Sequence, residues 1–171
     1  MHIAIAVIIG LLIVNFVLQR TIVDGPSMEP TLQNKDNLWV EKISPKFGSF
    51  KVGSIVTINV PEEIRNQYNR EKNPIIKRVI AVEGDTVEIK DGKVLVNGKE
   101  KEENYITGNR TEVGSTSKFS KLTVPKGHIY VLGDNRGNST DSRIIGPVDK
   151  KWVIGRAFVR TSPINKMGFL K

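Results

Sequence analysis

The stretch of sequence that decides the fold covers residues 74–98 and reads PIIKRVIAVEGDTVEIKDGKVLVNG. It contains three runs rich in valine and isoleucine, which is typical of β-strands. Gly84-Asp85 separates the first two runs, and Asp91-Gly92 is a two-residue hairpin signal between the second and third. This stretch therefore predicts three successive strands, at residues 74–82, 86–90 and 93–96.

Further strands are predicted on both sides of this stretch. They are short, apolar or alternating segments bounded by turn residues, at positions 38–43, 54–60, 128–132 and 152–160. Many short strands with Gly, Pro and Asp turns predict a mainly β fold, with a partly closed, barrel-like antiparallel sheet. Residues 99–121 are polar and lack periodicity, so we expect a long surface excursion there.

The N-terminus is apolar over residues 3–18, apart from one glycine and one asparagine. A transmembrane helix needs about 20 such residues, and the flanking residues can extend the run. We predict an uncleaved N-terminal transmembrane anchor over residues 1–20 and one β-rich domain over residues 21–171. A cleaved signal peptide is the alternative, but residues 19–24 offer no small-residue cleavage site.

Composition narrows the chemistry that the chain can carry out. The 171 residues include no cysteine and only two histidines. Disulfides, a cysteine nucleophile and a multi-histidine metal site are thereby excluded, so we expect no metal and no cofactor. The net charge of +8 fits contact with anionic membrane lipids, whereas no motif supports binding to nucleic acid.

Ser27 is the candidate nucleophile. It lies in the segment GPSMEPT, residues 25–31, nine residues after the apolar run ends at Leu18. A serine hydroxyl needs an adjacent base before it attacks a carbonyl group. His128 is a poor candidate for that base, because a histidine at the start of a strand behind a turn is usually exposed.

Lys77 is the better candidate for the base. The two-residue period of a strand places it on one face with Ile75 and Val79. Apolar neighbours disfavour the ammonium form of a lysine and lower its pKa. A neutral Lys77 could then accept the proton of Ser27, as in the Ser-Lys variants of nucleophilic catalysis.

The segment GDNRGNSTDSR, residues 133–143, is dense in turn formers and carries balanced charges. Arg78 points away from Lys77 on the predicted strand and needs a carboxylate partner, for which Asp134 and Asp141 are both candidates. These charges suit a fixed network of ion pairs. Ser139 could hydrogen-bond an amine and orient it.

Taken together, these motifs resemble those of the type I signal peptidases, specifically the small Gram-positive kind. The motifs occur in order over most of the chain, behind the apolar N-terminus, and include a lysine at position 77. The matching positions are residues 27–31, 77–79, 84–85 and 133–136, with Ser139, Asp141, Ser142 and Arg143.

The resemblance implies a role for each matching residue. Ser27 would be the nucleophile, Lys77 the general base, and Ser139 the residue that hydrogen-bonds and positions Lys77. The remaining implied roles are that Asp141 and Arg143 brace their segment, that Asp134 pairs with Arg78, and that Met28 lines the site.

One departure from the family pattern concerns the oxyanion hole. Gram-negative relatives often carry a serine two positions before the nucleophile, and that position is Gly25 here. Pro26 has no N–H to donate. Stabilisation of the oxyanion is then expected from the Ser27 backbone N–H, with water or Gly25 helping.

The resemblance implies a single-pass membrane protein whose catalytic domain lies on the extracytoplasmic face of the cell membrane. It would be a serine endopeptidase that removes signal peptides from exported preproteins with small residues before the cleavage site. The alternative is a signal-peptidase-like specialist or accessory factor for assembly of surface proteins such as pilins, with restricted or no peptidase activity.

Overall fold

The computed structural model of the chain describes residue 5 and residues 17–48, 50–68, 74–106, 108, 110–114 and 117–170. Most of the predicted anchor lies outside these residues. Its last part, from Leu18 to Arg20, is β-strand rather than helix. Within the described part of the chain, no helix is both long enough and apolar enough to cross a membrane.

The described residues form twelve β-strands and a few short helices. The strands are β1 Leu18–Ile22, β2 Asn37–Glu41, β3 Ile55–Ile58, β4 Ile75–Val82, β5 Thr86–Lys90, β6 Lys93–Val96, β7 Lys99–Glu100, β8 Lys121–Thr123, β9 His128–Leu132, β10 Val148–Asp149, β11 Val153–Ser162 and β12 Gly168–Phe169. The α-helices are α1 Ile43–Lys46, α2 Glu62–Gln67 and α3 Ser142–Ile145.

Eight strands form the larger sheet, in the order β1-β2-β11-β3-β4-β9-β10, with β12 paired to β11. Every pair in it is antiparallel. The register shifts where β11 meets β2 and β3, and again where β4 meets β9. Such irregularities bend strands, and the sheet curls into half a barrel. The prediction of a mainly β, partly closed antiparallel sheet is confirmed.

The smaller sheet has four strands in the order β7-β6-β5-β8. Its central hairpin pairs Lys90 with Lys93 across the turn at Asp91 and Gly92. Both turn residues have positive φ, 53° and 80°, as the tight turns that match strand twist require. The hairpin expected from the Asp-Gly pair is therefore present.

Strand β4 is the central element of the fold, and its side chains are buried from Ile75 to Ala81. Ile75 packs into the apolar cluster between β3, β4 and β9, whereas Ile76 packs into a second cluster beneath the β1–β2 connection. Burial of each isoleucine contributes about 1.5–3 kcal/mol. A polar side chain on this strand is thus held in the interior, and this is where the candidate site forms.

Residues 99–121 are more deeply integrated into the fold than their composition predicts. The segment begins with β7 and ends with the start of β8. Between them Thr111 is 1% exposed, and the Glu103 side chain is 7% exposed. These positions contact the 133–143 segment, as described below, so only part of the predicted surface excursion lies on the surface.

Candidate active site

Ser27 lies in the connection between β1 and β2, and both sides of this connection are fixed by hydrogen bonds. The Gly25 N–H donates to Asn34 Oδ1 over 3.1 Å. The backbone N–H of Asn135 donates to the Ser27 carbonyl oxygen over 3.1 Å, and its side-chain amide donates to the Pro26 carbonyl oxygen over 3.2 Å. The loop that contains the candidate nucleophile Ser27, here called the nucleophile loop (residues 23–36), is thereby bound to the 133–143 segment.

Gly25 is required by the backbone of this loop rather than by crowding. Its φ of +91° lies in the left-handed region that favours glycine. A Cβ atom at this position would meet no atom within 4 Å. A serine there would therefore be strained by its backbone conformation, even though its side chain would have space.

Met28 does not line the site, in contrast to the role that the family resemblance implies. It is 1% exposed and packs among buried residues that include Leu32 and Leu38. Its side chain is absent from the walls of the cavity that contains Ser27. Met28 instead anchors the nucleophile loop in the hydrophobic core.

Lys77 projects from β4 and meets Ser27 directly. Its Nζ donates to Ser27 Oγ over 2.7 Å and to the carbonyl oxygen of Ile76 over 2.9 Å. The whole residue is 1% exposed. A separation of about 2.6–3.2 Å is what a nucleophile and its base require, so these two side chains, fifty positions apart, form the arrangement of a Ser-Lys pair.

A cavity of about 260 Å³ opens beside this pair. Three segments form its walls, at residues 24–27, 74–77 and 138–140. The first contains Ser27, the second contains Lys77, and the third contains Ser139. The cavity is open to solvent on one side and is large enough for small side chains of a polypeptide.

Ser139 is brought to the cavity, but without the hydrogen bond to Lys77 that the resemblance implies. Its Oγ is buried and has no hydrogen-bond partner among the described residues. A Cβ atom on Gly133 would overlap both the Ser139 side chain and the Ser27 carbonyl oxygen. Glycine at 133 thus allows the Ser139 and Ser27 segments to approach each other.

Asp134 is the carboxylate partner of Arg78. The guanidinium donates to both carboxylate oxygens, Nε to Oδ1 over 2.9 Å and Nη2 to Oδ2 over 2.7 Å. Both residues are buried, at 3% and 0% exposure. Thr31 Oγ1 donates to the same carboxylate over 2.5 Å, which ties the end of the GPSMEPT segment to this ion pair.

Asp141 braces the other end of the 133–143 segment. Its carboxylate accepts from Arg143 Nε over 2.8 Å and from the Gly133 N–H over 3.0 Å. Burial acts to lower the pKa of Arg143, but the hydrogen bond and the charge of Asp141 outweigh it and raise that pKa. Arg143 Nη2 also donates to the Arg136 carbonyl oxygen over 2.8 Å.

The sequence predicted Arg136 as a member of this charge network, but it did not assign a role to several of the other residues found there. The network also contains Thr31, Glu103, Tyr105, Thr111 and Arg136. Arg136 belongs to a recognised motif, but its partner Glu103 lies in the polar excursion. A count of charges could have pointed to a residue such as Glu103. If the three arginines of the motifs are buried, they need three carboxylates, and the 133–143 segment supplies only two.

His128 lies at the start of β9, away from the cavity walls. Its Nδ1 is 2.9 Å from the carbonyl oxygen of Lys126. This position agrees with its rejection as the base. Among the residues that the structure describes, no group of three or more His, Asp or Glu side chains could hold a metal ion.

Comparison with known proteins identifies the family. The model of the family described as signal peptidase, peptidase S26, matches residues 1–162. This chain belongs to that family. Its membership makes the protein a peptidase, and therefore a hydrolase. The matched residues include the motifs around Ser27, Lys77 and residues 133–143.

Individual relatives agree with this assignment. A signal peptidase I from Leptolyngbya laminosa is 39% identical, over 98% of this chain and 80% of its own length. One from Bacillus licheniformis is 40% identical, over 96% of this chain and 88% of its own. The crystal structure of a signal peptidase I from Enterococcus faecalis V583 superposes with a TM-score of 0.50, at 29% identity over 63% of this chain and 95% of that one.

Proposed function

We propose that this peptidase is a membrane-anchored serine endopeptidase that removes signal peptides from exported preproteins by means of a Ser27-Lys77 dyad. The observation that carries the proposal is the 2.7 Å separation of Lys77 Nζ and Ser27 Oγ beside an open cavity. The membership of the chain in the signal peptidase family supports the reaction.

In the first step Ser27 Oγ attacks the scissile carbonyl carbon while its proton passes to a neutral Lys77 Nζ. The position of Lys77 favours the neutral amine, because burial disfavours a charged lysine and the residue is 1% exposed. The hydrogen bond between the two groups then runs from Oγ to Nζ. No heavy atom has to move far for this reversal.

In the second step the lysine acts as a general acid. Lys77 returns the proton to the leaving amine as the peptide bond breaks, and an ester remains on Ser27. A water molecule then attacks this acyl-enzyme while Lys77 accepts the proton of the water. As the ester C–O bond breaks, Lys77 gives this proton to Ser27 Oγ, which restores the serine hydroxyl and the neutral amine, so one lysine serves both half-reactions.

The oxyanion that forms in each step needs a donor close to Ser27. We assign this role to the Ser27 backbone N–H, since Pro26 has no N–H. Gly25 is a weaker candidate than the sequence implied, because its N–H already donates to Asn34 Oδ1 over 3.1 Å. One preorganised donor of this kind typically contributes about 2.7–4 kcal/mol to the transition state.

The substrate would bind in an extended conformation along the cavity. Extended peptides make main-chain hydrogen bonds to a protein and place alternate side chains in pockets. A cavity of about 260 Å³ suits small side chains, as are expected before the cleavage site of an exported preprotein. The preprotein would reach it at the extracytoplasmic surface of the cell membrane.

Membrane attachment is assigned to the apolar run at residues 3–18. Strand β1 begins at Leu18 and leads within ten residues to Ser27, so an anchor formed by this run would hold the dyad near the bilayer. The net charge of +8 favours contact with anionic lipid headgroups.

Cleavage of a preprotein in detergent micelles or lipid tests the dyad, with wild type, Ser27→Ala and Lys77→Ala compared. We expect both variants to lose cleavage while circular dichroism shows that they remain folded. His128→Ala serves as the control, because His128 lies at the start of β9 and away from the cavity walls. This variant should cleave normally. Full activity of Lys77→Ala would refute the dyad. Inactive wild type on several preproteins would favour a specialist or pilin-assembly role.

A further inference from the structure

Arg136 is the third buried arginine of the site region, and its carboxylate partner comes from outside the motif segments. Its side chain is 1% exposed, and that of Glu103 is 7% exposed. Nη2 donates to Glu103 Oε1 over 2.6 Å, and Nη1 donates to Oε2 over 2.8 Å. Thr111 Oγ1 also accepts from Nη1. A bidentate pair of this kind fixes a guanidinium in orientation as well as in position.

Arg136 transmits this constraint to the backbone next to the nucleophile. Its Nε donates to the Gly133 carbonyl oxygen over 3.0 Å. Gly133 lies so close to the Ser27 carbonyl oxygen that a Cβ atom would not fit. The Asn135 N–H donates to that same oxygen over 3.1 Å. A chain of contacts therefore runs from Glu103 through Arg136 to the peptide of Ser27.

The charges of this region are balanced pair by pair. Arg78 faces Asp134, and Arg143 faces Asp141. Both carboxylates of these pairs lie in the 133–143 segment itself. Arg136 differs from these two arginines, because its carboxylate partner, Glu103, lies in residues 99–121. Loss of one partner from a buried ion pair leaves the other charge uncompensated, so the motif depends on this segment.

Tyr105 connects Arg78 with the ion pair of Glu103 and Arg136. Its hydroxyl donates to Glu103 Oε1 over 3.0 Å, and the Arg78 guanidinium lies 4.1 Å from the centroid of its ring. Burial, and then the charge of Glu103, raise the pKa of this hydroxyl, so it remains a hydrogen-bond donor at neutral pH. One short stretch of the polar segment, Glu103 to Tyr105, thus contacts both Arg136 and Arg78.

We propose that Glu103 is a positioning residue for the hydrolytic reaction: through Arg136 it holds Gly133 and Asn135 against the Ser27 peptide. The inference rests on the proposed function for its effect on cleavage. Its geometric part, the ordering of the Asn135–Ser27 contact, can be tested without any substrate.

The kinetic test compares Glu103→Gln with wild type, as full-length chains in detergent micelles, on a peptide that spans an Ala-x-Ala cleavage site. Displacement of a catalytic group by a remote change costs up to about a hundredfold in rate. We expect kcat to fall about ten- to a hundredfold, with a smaller change in KM, and Glu103→Asp to recover part of the loss. Glu100→Gln is the matched control from the same segment. It removes an ion pair with Lys93 in which both side chains are exposed, Glu100 by 55% and Lys93 by 57%, and it should leave kcat unchanged.

Amide hydrogen exchange supplies the readout that does not depend on activity. In Glu103→Gln the Asn135 amide should exchange about tenfold faster or more, because its acceptor on Ser27 is no longer held in place. The Val79 amide, which donates to the Ser54 carbonyl oxygen over 2.8 Å, should exchange as in wild type. If Glu103→Gln does not fold, Tyr105→Phe removes one hydrogen bond to Glu103 and should accelerate the same amide.

Three outcomes would overturn the inference. They are unchanged Asn135 exchange, equal acceleration of the Asn135 and Val79 amides, and a loss of kcat that equals the loss of folded protein. Wild type that fails to cleave the peptide would refute the proposed function, whereas the exchange measurement would still decide the role of Glu103.

Discussion

Lys77 and Arg78 are adjacent on β4, and both are buried cationic residue types, yet they meet different partners. Lys77 Nζ contacts a hydroxyl oxygen and a backbone carbonyl oxygen. Arg78 is bidentate to the carboxylate of Asp134. Their side chains point to opposite faces of the strand, so one step in sequence separates the cavity from the ion-pair network.

Neighbouring positions of one strand thus serve different purposes: Lys77 is the proposed base, and Arg78 holds the surrounding segments together. A carboxylate stabilises a buried cation far more than neutral oxygens do. The two parallel hydrogen bonds between Arg78 and Asp134 fix the guanidinium in position and orientation. A lysine, in contrast, can give up its proton in a protein, which a general base must do. The predictions below test this contrast, beginning with the largest expected effect.

Replacing Lys77 by methionine should abolish activity without harming the fold. We expect cleavage of a preprotein to fall about a thousandfold or more, as when the base of a nucleophile is lost. The free energy of unfolding in urea should not decrease, because methionine fills the space of the lysine stem and removes a buried amine. Lys90→Met, at an exposed position of β5, is the control. A marked loss of stability would contradict the contrast.

Replacing Arg78 by methionine should mainly reduce the stability of the fold, in contrast to the Lys77 variant, which should mainly lose activity. Asp134, which is 0% exposed, would lose its cationic partner, and breaking such a pair costs about 3–5 kcal/mol. Urea unfolding measures the effect. The double variant Arg78→Met/Asp134→Leu should recover most of it, because no unpaired charge remains. A single-variant loss below about 1 kcal/mol would show that the pair is not a structural requirement.

The pH dependence of cleavage separates the two cations in the wild-type protein. Because the proposed base is the neutral form of Lys77, we expect kcat/KM to rise with pH, about tenfold per unit on the acidic limb, and then level off. Arg78 takes no part in the proposed proton transfers. Burial raises the pKa of Tyr105 and Tyr130, so neither phenol contributes to this limb. A flat profile from neutral to alkaline pH would refute the assignment of Lys77.

The smallest predicted effect distinguishes two serines of the 133–143 segment. Ser139 Oγ has no partner among the described residues, whereas Ser142 Oγ accepts from the Val131 N–H over 2.9 Å. Ser139→Ala should raise the free energy of unfolding by about 1 kcal/mol, and Ser142→Ala should lower it by a similar amount. Denaturant unfolding of both variants gives the signs. Equal losses would mean that the Ser139 hydroxyl is bonded after all.

Much of the fold could be predicted, because strand patterns are local. The valine- and isoleucine-rich run around Lys77 predicted a strand, and the Asp91-Gly92 pair predicted the β5–β6 hairpin. The end of the anchor was harder to predict. Leu18–Ile22 follows an apolar run in the sequence, but it pairs with β2 in the sheet, and this pairing depends on residues about twenty positions further along.

The candidate site was predictable to the extent that its members lie in recognisable motifs. Met28 was placed beside the nucleophile, but its side chain turns into the core, and adjacency in sequence does not reveal that direction. Glu103 was missed because a polar, aperiodic segment carries no sign of a buried partner. Its contact with Arg136 spans thirty-three positions and exists only once β7 and the 133–143 segment are assembled.

By itself the sequence determined the β-rich fold, the family resemblance and the two residues proposed for the dyad, because periodicity, turn chemistry and motif spacing are properties of short stretches. Only the tertiary structure decided that Asp134 rather than Asp141 pairs with Arg78, that Ser139 lies by the cavity without bonding Lys77, and that Glu103 completes the charge balance. These outcomes depend on which strands become neighbours in the sheet. Local propensity does not specify that order, because the order follows from burying three apolar clusters and, at the same time, pairing the three buried arginines with carboxylates.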